Sequence, residues 1–342
     1  MNLSIIMPVY NSAKTVLKSI DSFKKLAKIL NVDCELYIID DGSVDNTYLI
    51  AENVIKSHKN MHLIKNNENN GPGFSRNRAI KKIHHGYIGF LDSDDKILPK
   101  NYAKSFTSGS KMKADWITFN GWIENKGELN EKYDFARIVD NTKELGRKCV
   151  RGELDGSVIY SIYSAKLINE YNIRFPCGLY EDIPFNYSAM IFAKKRFISN
   201  EYSYIKVNRR GSIVNTISKK HIDGLLNSCV TVKRIFMNQS ISNYNEFESD
   251  YIFGAYGYIA HALMDILKHD ISSESKIELL DYLYEKKNEC FELKDLPTRK
   301  ETKKDLLTLH FINSYEKQKI NKKLLLQELS QFYNQLFYRS NG

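Results

Sequence analysis

Over the first hundred residues, short runs that are apolar throughout alternate with longer stretches whose apolar residues recur every three or four positions. Leu3-Ser4-Ile5-Ile6-Met7 has the continuous character of a strand buried on both faces. Pro8-Val9-Tyr10-Asn11 breaks it. Val16, Leu17, Ile20, Phe23 and Leu26-Ala27 then mark one face of a helix over about 13–30. Residues 34–39 predict a second strand, Leu49, Ile50 and Val54 a second helix capped by Asp45 or Asn46, and 61–64 a third strand. A polar loop over 66–73 leads into a helix carrying Phe74, Ala79, Ile80 and Ile83, and 87–91 is a fourth strand. This β-α-β-α-β-α-β order predicts a mostly parallel sheet flanked by helices, the nucleotide-binding half of a Rossmann-like α/β fold.

The pattern then loosens. Pro99 marks a new helix start, and 115–120 reads as a strand beside the only two tryptophans, Trp116 and Trp122. Trp122 suits either stacking on a sugar face or core packing. Residues 124–146 are polar and predict an irregular insertion or a short helix. An apolar segment at 157–163, an apolar helix after Glu181-Asp182 and a strand at 196–207 follow. From about 218 the period is helical throughout, with further helices near 275–290, 302–314 and 320–338. The expected division is an α/β catalytic domain over 1–216, with halves 1–98 and 99–216, and an all-helical C-terminal domain over 217–342. That helical part leaves four roles open: packing on the catalytic domain, a homo-oligomer contact, an acceptor grip, or peripheral contact with a membrane. Leu324–Leu326, Leu329, Phe332-Tyr333 and Leu336-Phe337 are its candidate partner surface.

Composition adds bounds. With 42% hydrophobic and 27% charged residues the chain is globular. No apolar run reaches ~18 residues, so no transmembrane helix is expected, and no signal peptide is read at the N-terminus. The five cysteines are scattered and form no CxxC, so neither zinc nor a disulfide framework is signalled and a cytoplasmic setting is expected. Residues 216–342 hold 18 Lys and Arg against 17 Asp and Glu, so +8 of the net +9 lies in 1–215. Such a surplus suits a polyanionic small ligand, an anionic membrane face, or simply a solvated lysine surface. No nucleic-acid module is present.

The candidate chemistry sits where strands end. The fourth strand runs straight into Asp92-Ser93-Asp94-Asp95. Carboxylates so close repel unless a cation neutralises them, and hard oxygen donors suit Mg²⁺ or Mn²⁺ carrying a substrate diphosphate. On this reading Asp92 and Asp94 flank the metal; the bland alternative is an acidic helix cap. The second strand likewise ends in Asp40-Asp41-Gly42-Ser43. The first turn lacks GxGxxG, and no GxxxxGK[ST] occurs, so neither dinucleotide binding nor a P-loop is expected.

Four motifs in order, Ser4–Asn11, Ile38–Thr47, Asn69-Asn70-Gly71-Pro72-Gly73-Phe74-Ser75-Arg76-Asn77 and Phe90–Asp95, resemble family 2 glycosyltransferases of the GT-A fold over the first ~100 residues. The resemblance implies that Pro8 and Tyr10 line a nucleoside pocket, with Asn69 and Ser93 among the donor-binding residues. Asp41 would accept a hydrogen bond from the base, most often uracil. Arg76 would meet base or diphosphate, Asp92 the ribose or sugar, and Asp94 the metal. An exposed helix arginine is the plain alternative for Arg76. The same resemblance places a Glu-Asp pair at Glu181-Asp182, with Asp182 as general base; a helix N-terminus keeps such an acid ionised, and a simple cap is the alternative. It also places a basic, Ser-containing segment at Asn208–Val214, where Arg209 or Arg210 and Ser212 would close on the donor diphosphate. Processive relatives carry QxxRW and membrane helices, which this sequence lacks. The implied activity is inverting transfer of a sugar from a nucleotide-diphosphate donor, expected to be a UDP-sugar, to a hydroxyl of a glycan or glycolipid acceptor in a capsule, lipo-oligosaccharide or teichoic-acid-type polymer. A nucleotidyltransferase on a similar scaffold, or a non-catalytic glycan- or membrane-binding protein, are the rivals. The first lacks its Gly-rich basic signature after strand one. The second is disfavoured by the intact Asp41, Asp92, Asp94 and Asp182.

Overall fold

A computed structural model describes residues 2–131, 141–208, 217–238, 244–290 and 302–338. The elements in chain order are β1 (Asn2–Val9), α1 (Val16–Ile29), β2 (Asp33–Asp40), α2 (Thr47–Ile55), β3 (Met61–Lys65), α3 (Pro72–Ile80), β4 (Tyr87–Phe90), β5 (Lys96–Ile97), α4 (Pro99–Lys111), β6 (Trp116–Asn125), β7 (Glu128–Glu131), α5 (Thr142–Val150), β8 (Ser161–Ser164), α6 (Ala165–Glu170), α7 (Asp182–Phe192), β9 (Arg196–Asn208), α8 (Lys219–Asn238), α9 (Tyr244–Lys268), α10 (Ser273–Cys290), α11 (Lys303–Lys317) and α12 (Lys322–Phe337).

The described chain forms two compact units. The first (1–145, 156–177 and 181–210) is built on one nine-stranded sheet in the order β3-β2-β1-β4-β8-β6-β9-β5, with β7 beside β6. The four strands from β3 to β4 are parallel. Beyond β4 the sheet is mixed: β8 is antiparallel to both β4 and β6, and β9 is parallel to β6. β1 is central and buried from Leu3 to Val9, which is why its sequence shows no alternation.

Pro8 does not break β1; it pairs in register with Ile39. Parallel pairing sends the backbone groups of alternate residues to opposite neighbours. Ile6 accepts from Leu91 on the β4 side, so Pro8 also faces that side, where β4 has already ended at Phe90. The missing N–H is therefore not missed. The register carries Val9, Asp40 and Lys65 to one level, with Phe90 beside Ile6. The loops after β1, β2, β3 and β4 thus leave the sheet on a common rim.

The second unit (146–155, 178–180 and 211–342) is helical. Asp250, nearly fully buried on α9, accepts from Arg147 Nε at 2.7 Å and Arg151 Nε at 2.5 Å, anchoring the end of α5. The expected partner stripe on α12 is partly spent inside this unit, while Leu324 stays exposed and Leu326, Leu336 and Phe337 half-buried. Leu325, Leu329 and Tyr333 are buried, and Phe332 stacks on His310 of α11 at 4.0 Å. An apolar stripe at helical spacing was here the core face of a bundle helix. Among the described residues no helix is long and apolar enough to cross a membrane.

Candidate active site

The rim loops are tied to one another by short polar side chains. Asn11, at φ 46°, donates its N–H to Ser43 Oγ at 3.0 Å and accepts from the Val44 N–H at 3.0 Å. Ser12 N–H donates to Thr47 Oγ1 at 2.7 Å. Asp45 accepts from the Thr47 N–H at 2.9 Å and from the Ala13 N–H at 3.2 Å. Asp45, not Asn46, therefore satisfies the start of α2. Gly42 (φ 73°) is required here, because a Cβ would lie 2.8 Å from the Glu68 backbone carbon.

Asp41 is the hub of the loop into α3. Its buried carboxylate accepts from Asn66 Nδ2 at 2.6 Å, Ser75 Oγ at 3.0 Å, the Asn70 N–H at 3.2 Å and the Gly71 N–H at 2.8 Å. Asn69 Oδ1 accepts a second bond from the Gly71 N–H at 3.1 Å. Pro72 then opens α3 at a position whose N–H has no helical partner.

After β4, burial alternates. Leu91, Ser93, Asp95 and Ile97 are buried, while Asp92, Asp94 and Lys96 are half-buried. Asp92 and Asp94 are thus the two acids of this turn that keep partial exposure, and the Asp95 N–H closes it on the Asp92 carbonyl at 3.1 Å. Ser93 Oγ is held by Ser12 Oγ at 2.7 Å. Asp95 Oδ2 accepts from Tyr204 OH at 2.9 Å, Asp95 Oδ1 accepts from the Val207 N–H at 2.7 Å, and Tyr204 OH in turn accepts from the Asp92 N–H at 3.0 Å. The Asp95–Tyr204 pair fastens the acidic turn to β9. Burial, then the charges of Asp92 and Asp94, push the Asp95 carboxyl well above the usual carboxylate range.

The turn meets the distant Glu181-Asp182 segment through Arg76. Its guanidinium, 5% exposed, donates from Nη2 to Asp92 Oδ1 at 2.8 Å and from Nη1 to Glu181 Oε1 at 2.9 Å. It also lies over the Phe175 ring at 5.2 Å. Burial opposes the charge, but Asp92, Glu181 and Asp182 outweigh it and raise the guanidinium above its ordinary value. Arg76 is thus an internal bridge between residues 92 and 181, not an exposed helix arginine. Two neighbours on α3 assist. Asn77 clamps the Phe175 backbone, donating to its carbonyl at 2.9 Å and accepting from its N–H at 3.0 Å. Gly73 leaves room for Glu181, whose Cγ would be 2.6 Å from a Cβ there. Asp182 is the first residue of α7.

Of the other sequence-derived residues, Pro8 is buried within β1 and Tyr10 is 44% exposed on the rim. Trp116 is core, its Nε1 donating to Asn186 Oδ1 at 3.3 Å, and Trp122 stacks on Tyr202 at 4.4 Å. Arg209, Arg210 and Ser212 lie outside the described residues. Among the described residues no three His, Cys, Asp or Glu side chains form a ready metal cage. Asp92 and Asp94 nevertheless offer hard oxygen donors two residues apart in the turn, a donor type that suits a divalent ion taking its remaining ligands from water and phosphate. Sequence reasoning gave no role to Glu181, Asp95, Tyr204, Asn66, Ser75 or Asn77. Their place beside Arg76 within one helical turn was the only signal available for two of them, Ser75 and Asn77.

Comparison with known proteins bears on the family and the fold. The family model described as glycosyl transferase family 2 matches residues 4–146. A poly(ribitol-phosphate) beta-glucosyltransferase of Bacillus spizizenii is 29% identical over 221 residues, 61% of this chain and 33% of that protein. The poly(ribitol-phosphate) beta-N-acetylglucosaminyltransferase TarP of Staphylococcus aureus is 28% identical over 59% of this chain and 61% of its own length. This chain thus spans between a third and three-fifths of these two relatives. The crystal structure of S. aureus TarS 1–349 in complex with UDP-GlcNAc superposes with a TM-score of 0.65 at 18% identity, covering 98% of this chain and 92% of that one. The parallel half-sheet and the four rim motifs thus lie in the part of the chain, residues 4–146, that matches the glycosyl transferase family 2 model, and the fold is that of the GT-A-type TarS.

Proposed function

We propose that the protein transfers a hexosyl or N-acetylhexosaminyl group from a UDP-sugar to a hydroxyl of a teichoic-acid-type cell-surface polymer, with inversion at the anomeric carbon. The observation that carries this reading is the Arg76 bridge. It brings the acidic turn after β4 beside the Glu181-Asp182 pair, so that donor-side carboxylates and a base share one site. The relatives' names support the polymer class, and the UDP-GlcNAc complex of TarS supports the donor class.

In this reading Asp182, at the positive end of α7, accepts the acceptor hydroxyl's proton as its oxygen bonds to C1. The C1–O bond to the diphosphate breaks on the opposite face and its electron pair leaves on UDP. Asp92 and Asp94 would hold Mn²⁺ or Mg²⁺, which when bound neutralises charge on the departing diphosphate. Asp41 braces the loop over 66–71 and leaves Oδ2 with one protein donor, Gly71 N–H, so that a second lone pair is open to a base N–H. Pro8 and Tyr10 would meet the nucleoside, and Arg209 or Arg210 with Ser212, which lie outside the described residues, would meet the diphosphate. Catalysis is assigned to 1–216, with 217–342 shaping acceptor choice and any contact with membrane or a second copy.

The test is UDP release from UDP-N-acetylglucosamine or UDP-glucose on poly(ribitol phosphate), with and without EDTA. Metal-dependent release that is lost in Asp182→Asn, with donor affinity kept, is expected. Undiminished turnover by Asp182→Asn, or an EDTA-insensitive Asp94→Ala enzyme with wild-type activity, would falsify the assignment.

A further inference from the structure

Glu181 is buried, precedes the proposed base by one residue, and has no role in proton transfer or donor binding as described above. Its partner is nevertheless specific. Arg76 spends one terminal nitrogen on Glu181 and the other on Asp92, at 2.9 and 2.8 Å. The same helix shapes the approach twice more, through the Asn77 clamp on Phe175 and the absent side chain of Gly73. Three α3 residues, spaced 73, 76 and 77 on one helical face, thus grip the segment that leads into α7. Nothing in the packing of β1 or β4 asks for a buried arginine at 76; a leucine would fill an α/β interface at lower desolvation cost. A planar guanidinium with two carboxylates on separate nitrogens fixes distance and angle between them, as a point charge does not.

We infer that Glu181 is a positioning residue for the transfer step: bonded through Arg76 to Asp92, it sets where Asp182, on the first turn of α7, stands relative to the donor-side carboxylates. The inference rests on the proposed reading of Asp182 as the base. Transfer needs the acceptor oxygen, the base and C1 in near-attack alignment, and a misplacement of about 1 Å lowers the rate by about 100-fold. Glu181 touches neither proton nor donor, so its loss acts on kcat and leaves donor affinity alone.

The experiment uses the full chain with UDP-N-acetylglucosamine, Mn²⁺ and poly(ribitol phosphate). Glu181→Ala, which leaves Arg76 with Asp92 alone, is expected to lower kcat by about 10- to 100-fold with donor Kd by calorimetry within about twofold. Glu181→Gln keeps an acceptor at the same reach of Arg76 Nη1 and is expected to restore most of the rate. In an Asp182→Asn background, adding Glu181→Ala is expected to cost nothing further, since residues acting as a unit are not additive. Wild-type kcat in Glu181→Ala overturns the inference. So does a parallel loss of donor affinity, a Glu181→Gln enzyme as slow as the alanine variant, or a multiplicative double mutant. Full turnover by Asp182→Asn removes the base assignment itself and is read independently of the Glu181 arms.

Discussion

Asp41→Asn is the sharpest probe of how the donor side is built. The side chain is 3% exposed and its two oxygens accept four protein hydrogen bonds, three on Oδ1 and one on Oδ2. Asparagine has the same shape but replaces one oxygen by a donor. If its amide nitrogen takes the Oδ2 position, it faces the Gly71 N–H at what was a 2.8 Å contact. If it takes the other, it faces Asn66, Ser75 and Asn70. Either way at least one buried donor loses its acceptor, and a hydrogen bond to a charged group is worth about 1.5–3 kcal/mol. The remaining bonds also lose their charge-assisted strength. We expect the loop over 66–71 to loosen by about 2–3 kcal/mol, a factor of about 30–150 at about 1.4 kcal/mol per tenfold. The assay is amide hydrogen exchange at Asn70 and Gly71, whose N–H groups both point at Asp41. Local opening free energies are read there directly, without requiring the whole chain to unfold in one step. Exchange at those two amides within about twofold of wild type would refute the reasoning, because it would mean the carboxylate is not what holds the loop.

Other outcomes follow from the same geometry. Gly73→Ala forces a Cβ to 2.6 Å from Glu181 Cγ and 3.0 Å from Phe175 Cβ, and should destabilise by about 1–3 kcal/mol and slow UDP release; unchanged melting and turnover would contradict the packing. Asp95 has a folded-state pKa raised by burial, Asp92 and Asp94, so the protonated form is favoured in the fold. Its contribution is present at low pH and is lost as pH rises through the elevated value. Asp95→Asn should remove that part of the pH dependence of the melting temperature and be stable at neutral pH. Burial, with Glu35 beside it, pushes the Cys34 thiol up to about 12, whereas Cys177 is exposed. Alkylation with iodoacetamide at pH 8 of the native protein, followed by peptide mass mapping, should modify Cys177 and spare Cys34; equal labelling of the two would sink that account.

The parallel half of the sheet was legible because continuous apolar runs and 3.6-residue periods leave little choice there. The helical region was legible for the same reason. Pro8 misled because a proline's place in a strand depends on where the neighbouring strand stops, which is a matter of register and not of local sequence. The α12 stripe was only partly legible, because apolar spacing reports a face that must be covered, without saying by which element; Leu325, Leu329 and Tyr333 turn into the helical unit. At the site, Asp92, Asp94 and Asp182 stood out as acids at element ends, but the residues that fix them did not. Asp95 and Tyr204 lie 109 positions apart and Arg76 and Glu181 lie 105 apart. Pairings at that separation carry no local signature.

The even–odd sorting of acids after β4 has a consequence for how this segment can vary. Substitutions in the acidic turn change one contact at a time. A single added or deleted residue between Phe90 and Ile97 does something else: the bond from the Asp95 N–H to the Asp92 carbonyl that closes this turn at 3.1 Å, the Ser12–Ser93 contact and the Asp95–Tyr204 contact cannot all be kept at once. Natural variants of this chain should therefore tolerate exchanges of side chain at this turn far better than any change in its length, and a length-altered turn should lower thermal stability more than any single exchange within it.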